Sequence, residues 1–338
     1  LRKPAQGRTV NNQVRVHFWG TRGSLPTSLD RAAVAAKVRA ALRDVRDRET
    51  VLGDDAAIEA IVAGLPFTIG GTFGGNTSCV QIDNASAEWT ICDAGSGLRA
   101  FGDAVLEQHR EPQTYNLFLS HVHWDHIMGF PFFRPAYVPG NVIRIHGCHA
   151  EMREAFMRQH GAPSFPVDFG QLGATIEFVT LEPHRSYTIG GFDVRALPQH
   201  HPGTSFAYRF ATGGASVIYA TDSEHAFHSA ADAAPFIAFF RDADVAIVDA
   251  MYSLGEALYA KQDWGHSSNV AAVELAQKAG VRHLVLFHHD PANDDRAIER
   301  LLRDARRFEE ITRQGTGLAV SAAYDGLELE VPVQVPDS

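Results

Sequence analysis

The stretch TYNLFLSHVHWDHIMG, residues 114 to 129, decides the reading of this chain, because an apolar run delivers four metal-ligand side chains within six positions. TYNLFLS reads as a buried strand, so His121, His123, Asp125 and His126 fall on the loop leaving its carboxyl end. Layered α/β proteins favour that end for their active sites. His121 and His123 project from one side of an extended segment, while Asp125 and His126 turn with the loop toward a second focus. One short loop can therefore serve two adjacent cations. Imidazole and carboxylate without thiolate suit zinc, manganese or iron(II), and ions roughly 3.5–4 Å apart can activate a water between them. The competing reading is a solvated histidine cluster that traps metal by accident.

The 338 residues, 45% of them apolar, suffice for a sizeable core and are read as a single domain over residues 1–338. No run of about eighteen apolar residues suggests a membrane span, and the basic start LRKPAQGR lacks the apolar stretch of a signal peptide. No membrane association and a cytoplasmic location are the resulting expectations. Cys79, Cys92 and Cys148 are widely spaced and form no CxxC arrangement, which argues against a disulfide framework or a thiolate zinc site. A net charge of −10 without a long Lys/Arg block disfavours a dedicated nucleic-acid binder.

VRVHFWGTRG, from Val14 to Gly23, reads as an opening strand that breaks at glycine, and GGNTSCVQID, from Gly74 to Asp83, as the next strand. Between them, residues 28 to 66 carry helical spacing in two blocks separated near Gly53. This helical insertion is expected to be a lid or dimer arm, which makes a homodimer one expectation, or else a packed decoration. EWTICDAGSG, NVIRIHG, ATIEFVTL, FDVRALPQH, SFAYRFAT, SVIYATDS, DVAIVDAMY and RHLVLFHH follow as strands. Helices are predicted around Phe101 and Val105, near EMREAFMRQH and NVAAVELAQKAG, and over residues 294 to 312. Strands in two batches with helices between suggest two facing sheets flanked by helices, a four-layer αββα sandwich.

Two metals need more ligands than one loop supplies, and other strand ends offer them. LPQHHPG places His200 and His201 after FDVRAL, VIYATDSEH places Asp222, and LVLFHHDP places His288 and His289. Each alone reads as a capping aspartate or a loop histidine; beside HxHxDH they read as a ligand set.

With these residues the chain resembles the metallo-β-lactamase-fold hydrolases, over nearly its whole length except the insertion, and most closely the ribonuclease Z and phosphodiesterase branch. His121-Val-His123-Trp-Asp125-His126 matches the HxHxDH motif, and Asp93 in ICDAGSGLR matches the aspartate that braces that loop. HPGTSFAYRF matches a third motif, with His201 seven residues before Tyr208. The resemblance implies two divalent ions, zinc first and manganese or iron(II) otherwise. His121, His123 and His201 would hold one, and Asp125, His126 and His288 the other, with Asp222 bridging. His200 and His289 stay open as alternatives to their neighbours. VDAMY with Asp249 and WGHSS with His266 match a helper pair, in which an acidic residue orients a histidine near the leaving group. The family more usually has glutamate where this chain has Asp249. His17, His146, His149, His184 and His225 match no family ligand and are expected to be structural.

The implied activity is a dinuclear phosphodiesterase on a small or cyclic nucleotide-like phosphodiester. A metal-bound hydroxide would attack, Asp125 would orient it, and His266 would donate the proton to the leaving group. Alternatives are ribonuclease Z-like cleavage at tRNA 3′ ends, a lactonase or β-lactamase-type hydrolase, and a non-catalytic metal-binding interaction protein. FPFFRPAYVPG, residues 130 to 140, reads either as a substrate wall or as apolar packing, and GGNTS around Asn76 either approaches the site or is a structural turn.

Overall fold

A computed structural model describes residues 13–48, 52–225, 229–261 and 263–333. The basic start of the chain and residues 49–51 of the insertion lie outside the described residues. The strands in chain order are β1 (Gln13–Gly20), β2 (Cys79–Asp83), β3 (Glu88–Cys92), β4 (Thr114–Phe118), β5 (Val142–Gly147), β6 (Thr175–Thr180) and β7 (Ser186–Ile189). They continue with β8 (Phe192–Gln199), β9 (Ser205–Thr212), β10 (Ala215–Ala220), β11 (Val245–Asp249), β12 (His283–Phe287), β13 (Ala319–Ala322) and β14 (Glu328–Pro332). One seven-stranded sheet runs β14, β1, β2, β3, β4, β5, β6, and the second runs β13, β12, β11, β10, β9, β8, β7. In each, four strands pair in parallel and an antiparallel group completes the sheet.

Side chains alternate across the pleat, and both faces of the central strands are buried, which explains their near-continuous apolar sequence. Val217, Tyr219, Ile247, Val285 and Phe287 point toward the first sheet and meet Val16, Phe18, Val80 and Phe118. Their neighbours Ile218, Ala246, Val248, Leu284 and Leu286 face outward. There they are covered by α7 (Ala230–Phe240), α9 (Asn269–Ala279) and α10 (Asp295–Thr312), through Phe236, Phe240, Val273 and Ile298. The outer face of the first sheet is covered by α4 (Leu98–Gln108) and α6 (Met152–Gln159), through Phe101, Val105, Met152 and Phe156. The αββα sandwich expected from the sequence is the observed architecture.

The insertion forms α1 (Arg31–Asp47), α2 (Asp55–Ala63) and the single turn α3 (Phe67–Gly70). Asp30 and Asp54 cap the first two by accepting from the N–H groups of Ala33 and Ala57. None of the side chains of α1 and α2 is fully buried, while Phe67 of α3 packs its ring against Phe73 and Tyr324. Lys37 anchors α1 by donating to the Thr68 and Gly71 carbonyls, both at 2.7 Å, and by pairing with Asp295 at 2.6 Å. Two short helices complete the set, α5 (Trp124–Ile127) and α8 (Leu254–Tyr259). Among the described residues no helix is long and apolar enough to cross a membrane.

Candidate metal centre

β4 ends at Phe118, and the chain continues extended through His121 to His123 before turning into α5, which carries Asp125 and His126. That change of backbone splits the motif. His121 and His123 meet His201, which follows β8, while Asp125 and His126 meet Asp222 after β10 and His288 after β12. Within each group the donor atoms lie within 4.8 Å of one another. Asp222 faces both groups. Its Oδ2 lies 3.7 Å from His121 Nε2 and 3.8 Å from His201 Nε2, and its Oδ1 lies 3.2 Å from both His126 Nε2 and His288 Nε2. Asp125 Oδ2 is 3.1 Å from His126 Nε2 and 3.4 Å from His288 Nε2. Burial opposes ionisation of Asp222, but the surrounding His126, His288 and His121 hold its carboxyl well below the usual range.

The ring orientations follow from buried hydrogen bonds behind the site. Asp93 is fully buried and accepts from His126 Nδ1 at 2.7 Å, Tyr219 Oη at 2.7 Å, Ser120 Oγ at 2.7 Å and the Ser120 N–H at 2.8 Å. Ser120 Oγ in turn stands 3.0 Å from His121 Nδ1. With both Nδ1 atoms engaged, the Nε2 atoms of His121 and His126 are aimed into the cluster, where they are buried without a hydrogen-bond partner. His201 Nδ1 donates to the Gly265 carbonyl at 2.9 Å, leaving its Nε2 3.1 Å from His123 Nδ1. Buried imidazole nitrogens left unpaired among carboxylates are costly for a protein alone and well matched to a divalent cation. The residues therefore fit the ions that the fold implies.

A strap leaving β1 closes the site from the far side. Arg22 bridges to Thr77 and to His289, touching segments that belong to each sheet. Its guanidinium donates to the Gly74, Asp290 and Asn293 carbonyls. Beyond it, the Ser24 N–H donates to Asp125 Oδ2 at 2.8 Å, and a Cβ on Gly23 would stand 2.5 Å from His288 Cε1. The sequence reading saw only a turn at this glycine; the lack of room beside His288 depends on a residue far along the chain. Asp93, Asp222 and His288 all adopt positive φ, 59°, 52° and 61°, conformations uncommon outside glycine and often kept at functional sites.

His266 stands at the open edge, stacked on His288 with ring centroids 5.1 Å apart and 5.2 Å from the His201 ring. Its Nδ1 donates to Asp249 Oδ2 at 2.6 Å, so aspartate reaches despite being one methylene shorter than glutamate. Burial disfavours the imidazolium, yet the Asp249 charge and hydrogen bond outweigh it and push His266 up to about 9. Asp249 is itself fully buried and accepts from the N–H groups of Met251 and Ser223.

The neighbouring histidines point elsewhere. His200 is exposed beside Phe236, and His289 is buried with Nε2 donating to the Ala323 carbonyl at 2.8 Å. His146 pairs with Asn116, His17 with Glu328, and His149 with the Thr204 carbonyl. Tyr208, within the third motif, donates to the Leu119 carbonyl at 2.7 Å and so braces the ligand loop. In FPFFRPAYVPG, Phe130 and Phe133 are fully buried in the core and Arg134 pairs with Asp103, so this stretch is mainly packing. GGNTS does approach the site: Thr77 Oγ1 donates to the Asp125 carbonyl at 2.7 Å.

Residues 88–289 match the family described as the beta-lactamase superfamily domain. Ribonuclease BN of Escherichia coli O81 (strain ED1a) is 27% identical over 295 residues, covering 71% of this chain and 91% of that protein. The probable metallo-hydrolase YhfI of Bacillus subtilis (strain 168) is 31% identical over 113 residues, which cover 32% of this chain and 41% of YhfI. The crystal structure of YhfI superposes with a TM-score of 0.61 at 18% identity, covering 94% of this chain and 99% of that one. Human tRNase Z, short form, gives 0.56 at 16% identity, over 94% and 100% of the two chains. The family match spans more than half of the sequence and contains the ligand loop, Asp222 and His288; the chain belongs to the beta-lactamase superfamily domain family, as a hydrolase of the metallo-β-lactamase fold.

Proposed function

We propose that the chain is a phosphodiesterase acting on a small or cyclic nucleotide-like diester at a dinuclear centre. His121, His123 and His201 would hold one cation, and Asp125, His126 and His288 the other, with Asp222 shared between them. The observation that carries this reading is the Asp249–His266 pair, at 2.6 Å, placed within reach of His201 and Asp222. Divalent ions, zinc first, would lower the pKa of a water from about 15.7 toward roughly 7 and offset charge on the phosphoryl oxygens. The chain's own residues supply the rest. Asp125, fixed by the Ser24 N–H, orients the attacking water. His266 delivers a proton to the departing alkoxide, the group an acyl ester with a good leaving group would need least. Asp249 accepts the Nδ1–H and favours the imidazolium, so that the proton to be delivered sits on His266 Nε2.

Turnover of bis(p-nitrophenyl) phosphate after loading with zinc or manganese, abolished by chelation, is the test. Bound metal with hydrolysis of lactones or β-lactams but no diester would replace this reading by the acyl hydrolase; bound metal with no hydrolysis at all would favour the interaction protein.

A second reading has a specific observation behind it, the 27% identity to ribonuclease BN over 91% of that protein. Cleavage of tRNA 3′ ends needs basic surface for phosphate contacts, and the net charge of −10 weighs against it. A salt-sensitive shift on tRNA with cleavage at its 3′ end would favour it over the small diester.

A further inference from the structure

A cleft of about 360 Å³ opens beside His266, walled by Ser24, Met251, Tyr252, Lys261, Trp264 and Asp290. Its position follows from the site. Tyr252 meets the His266 ring edge-on, with centroids 5.8 Å apart and planes at 90°. Whatever occupies the cleft therefore touches the histidine that faces the departing group.

The walls are chemically specific. Trp264 is 59% exposed, although a tryptophan ring is among the largest apolar surfaces a protein can hide. It is also held in place. The N–H groups on either side of it, those of Asp263 and Gly265, both donate to the Glu224 carboxylate, at 3.4 and 3.3 Å. The Gly265 carbonyl accepts from His201, which ties the turn to the candidate ligand set. Gly265 has φ 80° and a Cβ there would stand 2.5 Å from His201 Nδ1, so the turn depends on glycine. A turn already fixed by hydrogen bonds has less freedom to lose when something stacks on the ring it carries.

Opposite the tryptophan, Lys261 Nζ lies 4.2 Å from the Tyr252 ring centroid and 5.9 Å from that of Trp264, and it pairs with Asp290 Oδ2 at 2.6 Å. The cleft thus offers one exposed aromatic face, and polar groups of both signs at its floor. A planar heterocycle with donors and acceptors on its edge matches that combination. The volume lies in the range of ordinary small-molecule sites.

We infer that this cleft receives the nucleoside of the departing alcohol, its base stacked on Trp264 and its edge turned to Lys261 and Asp290. The inference rests on the phosphodiesterase reading above and deepens it. It makes Trp264 a specificity-determining residue and assigns the selective half of the substrate to the side that leaves.

Two diesters separate the possibilities. The methyl ester of thymidine monophosphate can lose either thymidine or methanol, whereas dimethyl phosphate can lose only methanol. With the metal-loaded protein, kcat/KM should favour the thymidine ester by about tenfold or more, with thymidine and methyl phosphate as its products, in line with the ~1–3 kcal/mol measured for base–aromatic stacking. Trp264→Ala should bring the ratio of the two toward unity through KM, and Trp264→Phe should keep most of it. Independently of turnover, thymidine alone should quench tryptophan fluorescence in the native protein, with the quench lost in Trp264→Phe while binding persists by calorimetry. Equal rates on both diesters, methanol as the alcohol released from the thymidine ester, or a ratio unchanged in Trp264→Ala, would overturn the cleft assignment and leave the phosphodiesterase reading standing. If neither diester nor bis(p-nitrophenyl) phosphate is hydrolysed while thymidine still binds, the phosphodiesterase reading is the part that fails.

Discussion

Replacing Asp93 by asparagine removes one charge and almost no volume, yet it should loosen the candidate metal centre from behind. The carboxylate accepts four hydrogen bonds with no exposure to water, three on Oδ2 and one on Oδ1. The least costly asparagine rotamer keeps its oxygen toward Ser120 Oγ, His126 and Tyr219 and turns its NH2 toward the Ser120 N–H. Three bonds then lose charge assistance at about 1 kcal/mol each, and a buried N–H left facing a donor costs about 1–3 kcal/mol more. The expected loss of stability is roughly 4–6 kcal/mol, a large share of the ~5–15 kcal/mol that holds a typical domain. His126 also loses the negative charge that raises the basicity of its ring, and changes of this kind typically lower metal affinity by about 10–100-fold. Urea titration of the metal-free protein measures the first effect and competition with a chromophoric chelator the second. An Asp93→Asn protein with the wild-type midpoint and wild-type chelator competition would refute the claim that Asp93 organises the ligand loop.

Three further outcomes are expected. His266→Ala should retain bound metal while slowing diesters with alkyl leaving groups by about 10²–10⁴-fold and p-nitrophenyl esters far less; equal slowing of both would remove His266 as proton donor. Asp222→Ala should reduce occupancy of both metal positions in elemental analysis, because its two oxygens face different ligand groups, and full loading would show that the bridge is misassigned. Gly23→Ala should displace His288, since the new Cβ would meet the ring at 2.5 Å, at a cost of roughly 1–3 kcal/mol. Metal titration should then show one weakened position, whereas unaltered binding would mean that the Met251 side chain, also 2.5 Å from that Cβ, gives way instead.

Much of the site was legible because its residues sit where strands end, and strand ends are marked by a change from apolar to polar sequence. His121, Asp222 and His288 are each preceded by such a run. What fixes them was harder to read. Tyr219 belongs to β10 and looks like one more core residue, yet its hydroxyl reaches Asp93 at 2.7 Å across the two sheets. The edge strands β7, β13 and β14 escaped notice because they are short and partly exposed, and β14 acquires its partner β1 from the other end of the chain. Pro235 argues against α7, since proline in the second turn of a helix cannot donate to the Ala231 carbonyl and crowds it. In FPFFRPAYVPG, composition could not tell a wall from a core: the buried Phe130 and Phe133 and the 57% exposed Phe132 differ only in which side of two 3-10 turns they occupy.

The seven candidate ligands are divided between the sheets, four from the loop after β4 and three from the ends of β8, β10 and β12. Elsewhere the sheets meet through apolar contacts such as Phe118 against Phe210 and through a few hydrogen bonds such as that of Tyr219 to Asp93. A cation shared by Asp222 and His126 would act as a removable cross-link between the two halves of the sandwich. Separation of the sheets would then have to wait for its release, so the lifetime of the folded protein would be set by the metal's off-rate as well as by the packing of the core.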